Sequence, residues 1–183
     1  MDINLPNILS GSRLLISFFF FIFILSHKPH LQLIALILFI IGSITDYLDG
    51  YIARKYNLTS NLGKFLDPLA DKFLTTAAFT SFVIMDLIPL WMLIFVVARD
   101  LITTFLRTGV EKPIVTSKIA KIKTTTQMIF IFCTLVLIVY MNSFPENQIA
   151  FQLNTFLHSI YYDLLMMVIV IITLWTLLEY LKR

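Results

Sequence analysis

Apolar residues in this chain come in long unbroken blocks. They show neither the period-two alternation of a half-solvated strand nor the narrow stripe of a surface helix. Leu14 to Leu25 reads LLISFFFFIFIL, and Leu164 to Leu178 reads LLMMVIVIITLWTLL. Such blocks cannot be half-solvated faces, so the pattern predicts an all-α, polytopic membrane protein. Alternating segments of about ten residues are missing, which argues against a β-barrel. At about 20 residues per span, the blocks predict six transmembrane helices, near 9–26, 31–55, 61–85, 88–109, 117–141 and 158–181. The segment NLPNILSGSR, from Asn4 to Arg13, is expected to form a short N-terminal interfacial helix with Pro6 at its start. The first apolar block lacks a small-residue cleavage site and is expected to stay as the first helix. No linker, repeat or low-complexity tract divides the chain, so residues 1–183 are expected to form a single transmembrane domain.

Charge gives the orientation. With the N-terminus in the cytoplasm, Arg13, Arg54, Lys55, Lys64, Arg107, Lys112, Lys118, Lys121, Lys123, Lys182 and Arg183 fall at or near the inner face. Only Lys28 falls clearly outside. Both termini are therefore expected on the cytoplasmic side. The outer connections are expected at 26–30, at 86–89 and in a longer loop from 142 to about 157. His27, His30 and His158 then read as interfacial polar residues. Composition agrees with a membrane protein: 58% of residues are hydrophobic and the mean hydropathy is +0.88, where a soluble domain is about 45–50% apolar. No nucleic-acid partner is expected. The single cysteine, Cys133, lies in an apolar run and reads as a small filler, with no internal disulfide or metal site.

One polar stretch contradicts its surroundings. DYLDGYIARKYNLTSNLGKFLDPLAD carries Asp46, Asp49, Asp67 and Asp71 between two apolar blocks. The second helix runs inward and the third outward, so Asp49 and Asp67 each lie roughly 9 Å from the tip of the hairpin, and Asp46 and Asp71 about 14–15 Å. Asp46, Gly50 and Arg54 share one stripe, with Asp49 about 60° away, and Gly63, Asp67 and Asp71 share another. Helix-end pairing with Arg54, Lys55, Lys64 or Lys72 would account for one such aspartate. Four in phase, with glycines on their stripes, point instead to a common cavity. Unscreened, these carboxylates would repel or bind protons. Hard oxygen ligands select magnesium, manganese or calcium, and four suffice for two ions clamping a phosphate. Gly50, Gly63 and the small Ala53 would let a flat group approach the backbone.

The pattern D-x2-D-G-x2-A-R-x8-G-x3-D-x3-D, from Asp46 through Gly50, Ala53, Arg54 and Gly63 to Asp71, resembles the signature of the CDP-alcohol phosphotransferase family at every defined position. NLPNILSGSRLL, FLDPLADK, ARDLITTFLR and SKIAKIKTTTQM resemble the bacterial phosphatidylglycerophosphate synthases within it. The resemblance implies transfer of a phosphatidyl group from CDP-diacylglycerol to sn-glycerol 3-phosphate, with release of CMP, at the cytoplasmic face of a bacterial membrane. It implies two divalent cations, Mg2+ or else Mn2+, on Asp46, Asp49, Asp67 and Asp71, with Asp71 also the general base. It implies CDP binding by Asp49, Gly50, Ala53, Arg54, Gly63 and Asp67, and a homodimer in membrane lipid.

A phosphorylated acceptor needs cations besides the metals. Arg99, Thr103 and Arg107 form one stripe of the fourth helix, and Lys118, Lys121 and Thr125 one stripe of the fifth. Arg107 and Lys121 are the leading expected phosphate ligands, followed by Lys118 and Arg99. Asp100 is expected to pair with a nearby cation. Lys123 falls off the fifth-helix stripe and is expected to serve topology or anionic lipid. Arg13, Asn4 and Asn7 are candidates to line the site from the N-terminal segment. The same fold with another acceptor, as in a cardiolipin synthase or an inositol-phosphate user, is one alternative, and a divalent-cation transporter is another.

Overall fold

The computed structural model describes the backbone of residues 5–56, 63–108 and 118–181, and side chains within 11–45, 72–104 and 121–179. The described residues form seven α-helices and no strand: α1 Leu5–Ile24, α2 Pro29–Tyr56, α3 Gly63–Ile84, α4 Leu90–Thr108, α5 Lys118–Ser143, α6 Gln148–Leu157 and α7 Ile160–Leu181. Their boundaries follow local chemistry. Pro29 opens α2, where its missing N–H costs nothing. The tight turn between α3 and α4 places Asp86 at φ 57, a left-handed position that aspartate tolerates better than branched residues do.

Two expectations are corrected. The stretch from Asn4 to Arg13 does not make a separate interfacial helix: from Leu5 onward it is continuous with α1, because neither Pro6 at the start nor Gly11 within breaks the backbone ladder. The long outer loop from 142 to about 157 contains α6. Its Asn147 side chain caps the helix by accepting from the Ile149 N–H at 3.0 Å. Ala150 and Leu157 are its buried side chains.

The core follows α1, which packs along both α2 and α3, and continues through α5 and α7. Phe20, Ile24, Phe39, Leu74, Ala78, Phe79, Phe82, Ile131, Leu135 and Met166 are at most 2% exposed. Outward faces are apolar as well: Leu15, Phe18, Phe19 and Ile22 on α1, Leu33, Ile37, Ile41 and Ile44 on α2, and Leu164, Val168, Ile171 and Trp175 on α7 are all exposed. Apolar area on that scale marks contact with an apolar medium or partner. Among the described residues, Lys121–Ser143 and Ile160–Glu179 are long and apolar enough to cross a membrane. Gly11–Ile24, Pro29–Thr45 and Lys72–Ile84 are shorter apolar helical stretches.

Cross-helix contacts set the register. Asn142 Nδ2 donates to Gln32 Oε1 at 2.6 Å, and Ser43 Oγ meets Met128 Sδ at 4.0 Å, so α2 and α5 run antiparallel. Gly42 is the close approach of three helices. A Cβ there would lie 2.8 Å from Leu74 Cδ2 of α3 and 3.4 Å from Ile16 Cγ2 of α1. Leu74 is 2% exposed and has little room to retreat. Gly42→Val is therefore expected to destabilise the fold by about 1–3 kcal/mol through overpacking. Thermal unfolding in detergent checks this, and an unchanged midpoint would show that α2 can part from α3 here at no cost.

Candidate functional site

The Gly42 contact fixes the depth of the acidic stretch. Asp46 lies four residues beyond Gly42 along α2, and Asp71 three residues before Leu74 along α3. Each is therefore one turn, about 5 Å, from the same contact and on the same side of it. Asp49, Gly50, Ala53 and Arg54 follow in the last turns of α2, while Gly63 opens α3 and Asp67 lies a turn further in. The side chains of all these residues lie outside the described ones, as do those of Arg107 and Lys118 and the N-terminal Asn4 and Asn7.

The other helices reach the same levels. On α1, Arg13 lies three residues before Ile16 and is 3% exposed, which sets it level with Asp46 and Asp71. On α5, Lys121 is seven residues before Met128, two turns along the face that meets Ser43 of α2. Seven residues past Ser43 is Gly50, so Lys121 stands level with Gly50, and Lys118 with Ala53. Lys121 is exposed.

The described side chains build one charged cluster here, centred on Asp100 of α4. Its Oδ1 accepts from Arg99 Nη1 at 3.0 Å and from Lys123 Nζ of α5 at 2.6 Å. Its backbone carbonyl accepts from Lys72 Nζ of α3 at 2.6 Å. Lys72 also donates to Thr104 Oγ1. Arg99 Nη1 lies 3.4 Å from Thr103 Oγ1, so the expected stripe on this helix is present in its upper half. Arg99 and Lys123 are 8% and 4% exposed. Arg99 Nε is buried and has no hydrogen-bond partner among the described residues. One carboxylate thus stands between two buried cations, with a third on its backbone. Buried charge of one sign is costly unless an anion answers it.

The expected pairing of Asp100 with a cation is present, and with two. The expectation for Lys123 is corrected: it does not face lipid or serve only topology but points into the bundle. Residues two apart on a helix lie about 200° apart, so the two lysines point to different sides of α5: Lys123 meets Asp100 of α4, while Lys121 is exposed. A signal for this was in the sequence: Lys123, Gln127, Ile131 and Leu135 recur every fourth residue, and all four are buried. The role of Lys72 as a tie between α3 and α4 had no such signal, since it depends on which helix lies beside α3.

Comparisons with known proteins agree with the motif. A family model described as CDP-alcohol phosphatidyltransferase matches residues 3–178. A Bacillus subtilis protein called CDP-diacylglycerol–glycerol-3-phosphate 3-phosphatidyltransferase is 38% identical over 170 residues, covering 84% of this chain and 88% of its own. Proteins of the same name from Rickettsia felis and Haemophilus influenzae are 34% and 31% identical. They cover 70% and 100% of this chain, and 72% and 94% of their own lengths.

Proposed function

This chain belongs to the CDP-alcohol phosphatidyltransferase family, and from that premise we propose that it transfers the phosphatidyl group of CDP-diacylglycerol to sn-glycerol 3-phosphate. The products are CMP and phosphatidylglycerol phosphate. The observation that carries the reading is the register of α2 against α3, with Asp46 and Asp71 each one turn beyond the Gly42–Leu74 contact. That register supports a single chamber for the four aspartates at one end of the bundle. We read the molecule as six membrane spans with both termini and this chamber on the cytoplasmic side of a bacterial membrane. The inner bias of basic residues supports this, as do the apolar outward faces. A homodimer is adopted from the family resemblance.

The donor set suits hard divalent cations, since four carboxylates on two antiparallel helices offer only oxygen ligands. Asp46, Asp49, Asp67 and Asp71 would hold two of them, Mg2+ first and Mn2+ second. When bound, such ions neutralise a diphosphate and favour departure of CMP. The chain's own residues do the rest. Gly50, Ala53 and Gly63, having small or no side chains, would leave the backbone open for the cytidine, and Asp49, Arg54 and Asp67 would bind the CDP moiety. Asp71 takes the proton of the acceptor hydroxyl as its oxygen attacks the lipid-linked phosphorus. The bond from that phosphorus to the CMP oxygen breaks, and CMP leaves with the bond's electrons.

Arg107, Lys121, Lys118 and Arg99 would hold the acceptor's phosphate. Along antiparallel α3 and α4, Lys72 meets Asp100 and Thr104, which sets Arg107 near the level of Asp67. Arg107→Ala is expected to raise KM for glycerol 3-phosphate by about 10- to 100-fold, the cost of losing a charge-assisted hydrogen bond. The KM for CDP-diacylglycerol should change far less. Steady-state rates of CMP release with each substrate varied in turn check this, and equal changes in both constants would remove Arg107 from the acceptor pocket.

The reading as a whole is tested by incubating purified protein with labelled CDP-diacylglycerol and magnesium. Candidate acceptors are glycerol 3-phosphate, phosphatidylglycerol, inositol phosphate and serine. CMP release that depends on glycerol 3-phosphate is the expected result. Release with phosphatidylglycerol or inositol phosphate alone would change the acceptor, and metal flux across vesicles with no CMP release would replace the enzyme with a transporter.

A further inference from the structure

We infer that Asp100 is a positioning residue: it holds Arg99 and Lys123 together as one charged seat for the acceptor's phosphate on the α3–α4–α5 side of the chamber. The inference rests on the proposed reaction for the identity of that acceptor and for the chamber, and on the described side chains for the seat itself. It also brings into the pocket Lys123, a residue the helical stripes excluded.

Two cations share the single oxygen Oδ1 of Asp100, Arg99 Nη1 at 3.0 Å and Lys123 Nζ at 2.6 Å. Two cations that close repel unless a carboxylate separates them, and both are buried, where repulsion is least screened. Asp100 therefore makes their proximity tolerable before any substrate arrives. It cancels only one of the two charges, so the pair keeps a net positive charge suited to a phosphate. Arg99 also keeps hydrogen-bonding capacity for a ligand, because its buried Nε has no partner among the described residues.

The backbone of the same residue fixes the seat in depth. The Asp100 carbonyl accepts from Lys72 Nζ of α3 at 2.6 Å, and Lys72 directly follows Asp71 in sequence. Thr104 Oγ1 donates to this carbonyl at 2.7 Å and Thr103 Oγ1 at 3.2 Å. Asp100 thus joins three helices at the turn of α3 that carries the proposed base. A phosphate held by Arg99 and Lys123 would keep the rest of a small acceptor within reach of that turn. This accounts for a carboxylate placed among cations that are needed to bind an anion.

The test uses the full chain in detergent or lipid. Asp100→Asn is expected to raise KM for glycerol 3-phosphate at least tenfold and leave KM for CDP-diacylglycerol within twofold. Asp100→Glu should restore most of the difference. Thermal stabilisation of the wild type by inorganic phosphate should be lost in Asp100→Asn and regained in Asp100→Glu. If Asp100→Asn does not fold, Lys123→Gln, which leaves the Arg99–Asp100 pair in place, is expected to raise the acceptor KM at least fivefold. An unchanged or lower acceptor KM, equal rises in both constants, or a glutamate variant no better than the asparagine would overturn the inference. If the wild type uses inositol phosphate instead, the proposed acceptor fails, and the same split measured on that acceptor still supports the seat. If only serine, which carries no phosphate, supports CMP release, the seat is overturned as well.

Discussion

Asp71→Asn is expected to stop turnover while leaving CDP-diacylglycerol binding close to normal. Asparagine keeps the shape and one oxygen of aspartate but cannot accept a proton at neutral pH. Loss of a positioned general base costs roughly 100- to 10,000-fold in rate. The fall should reach the upper part of that range, because Asp71 is also a proposed metal ligand. Its place on the chain fits the role: it lies one turn from the Gly42–Leu74 contact, the deepest of the acidic positions on α3, and it precedes Lys72, which ties α3 to α4. Single-turnover CMP release and equilibrium binding of labelled CDP-lipid check the two halves separately. A variant that turns over at the wild-type rate would remove Asp71 as the base.

Removal of divalent cations is expected to have an effect of similar size. Gathered in one chamber as proposed, the four carboxylates would repel one another without a cation among them, and a diphosphate brought beside them would add negative charge. Metal ions contribute several kcal/mol of charge stabilisation in such reactions, so CMP release should fall on the order of a thousandfold on chelation. Added magnesium should restore it, and manganese should do so in part. Asp46→Asn or Asp67→Asn should reproduce the loss at ordinary magnesium concentrations and respond to more metal. Full activity in the presence of excess chelator would exclude a metal-loaded site as the basis of the reaction.

Several elements could be read from the chain because they depend on local pattern alone. The long helices lie within a few residues of the apolar blocks that predict them, as with Pro29–Tyr56 against 31–55 and Ile160–Leu181 against 158–181. Burial from water is decided by local composition when a block is apolar all round. Two local features were misread. α6 has a cap at Asn147 and an apolar pattern through Leu157, but at 10 residues it is too short to register as a span. The stretch from Asn4 to Arg13 was expected as a separate interfacial helix, yet from Leu5 it is part of α1, since a single glycine within it costs about 1 kcal/mol and does not end a helix.

The motif could be read because its chemistry lies in spacing: carboxylates and glycines at helical intervals announce their stripes wherever the helix goes. By itself the sequence determined that this is an all-helical, largely apolar chain of one family, with four aspartates in phase on two neighbouring helices. What it left open is absolute rotation. A stripe of residues has a phase relative to its own helix but none relative to its neighbours, so the pattern that favoured Lys121 and set Lys123 aside could not say which side of α5 meets α4. Only the tertiary structure decided that Lys123 meets Asp100 beside Arg99 while Lys121 stays exposed. The physical reason is packing: Gln127, Ile131 and Leu135 must face the core, and burying them turns the whole of α5 and every charge at its start with it.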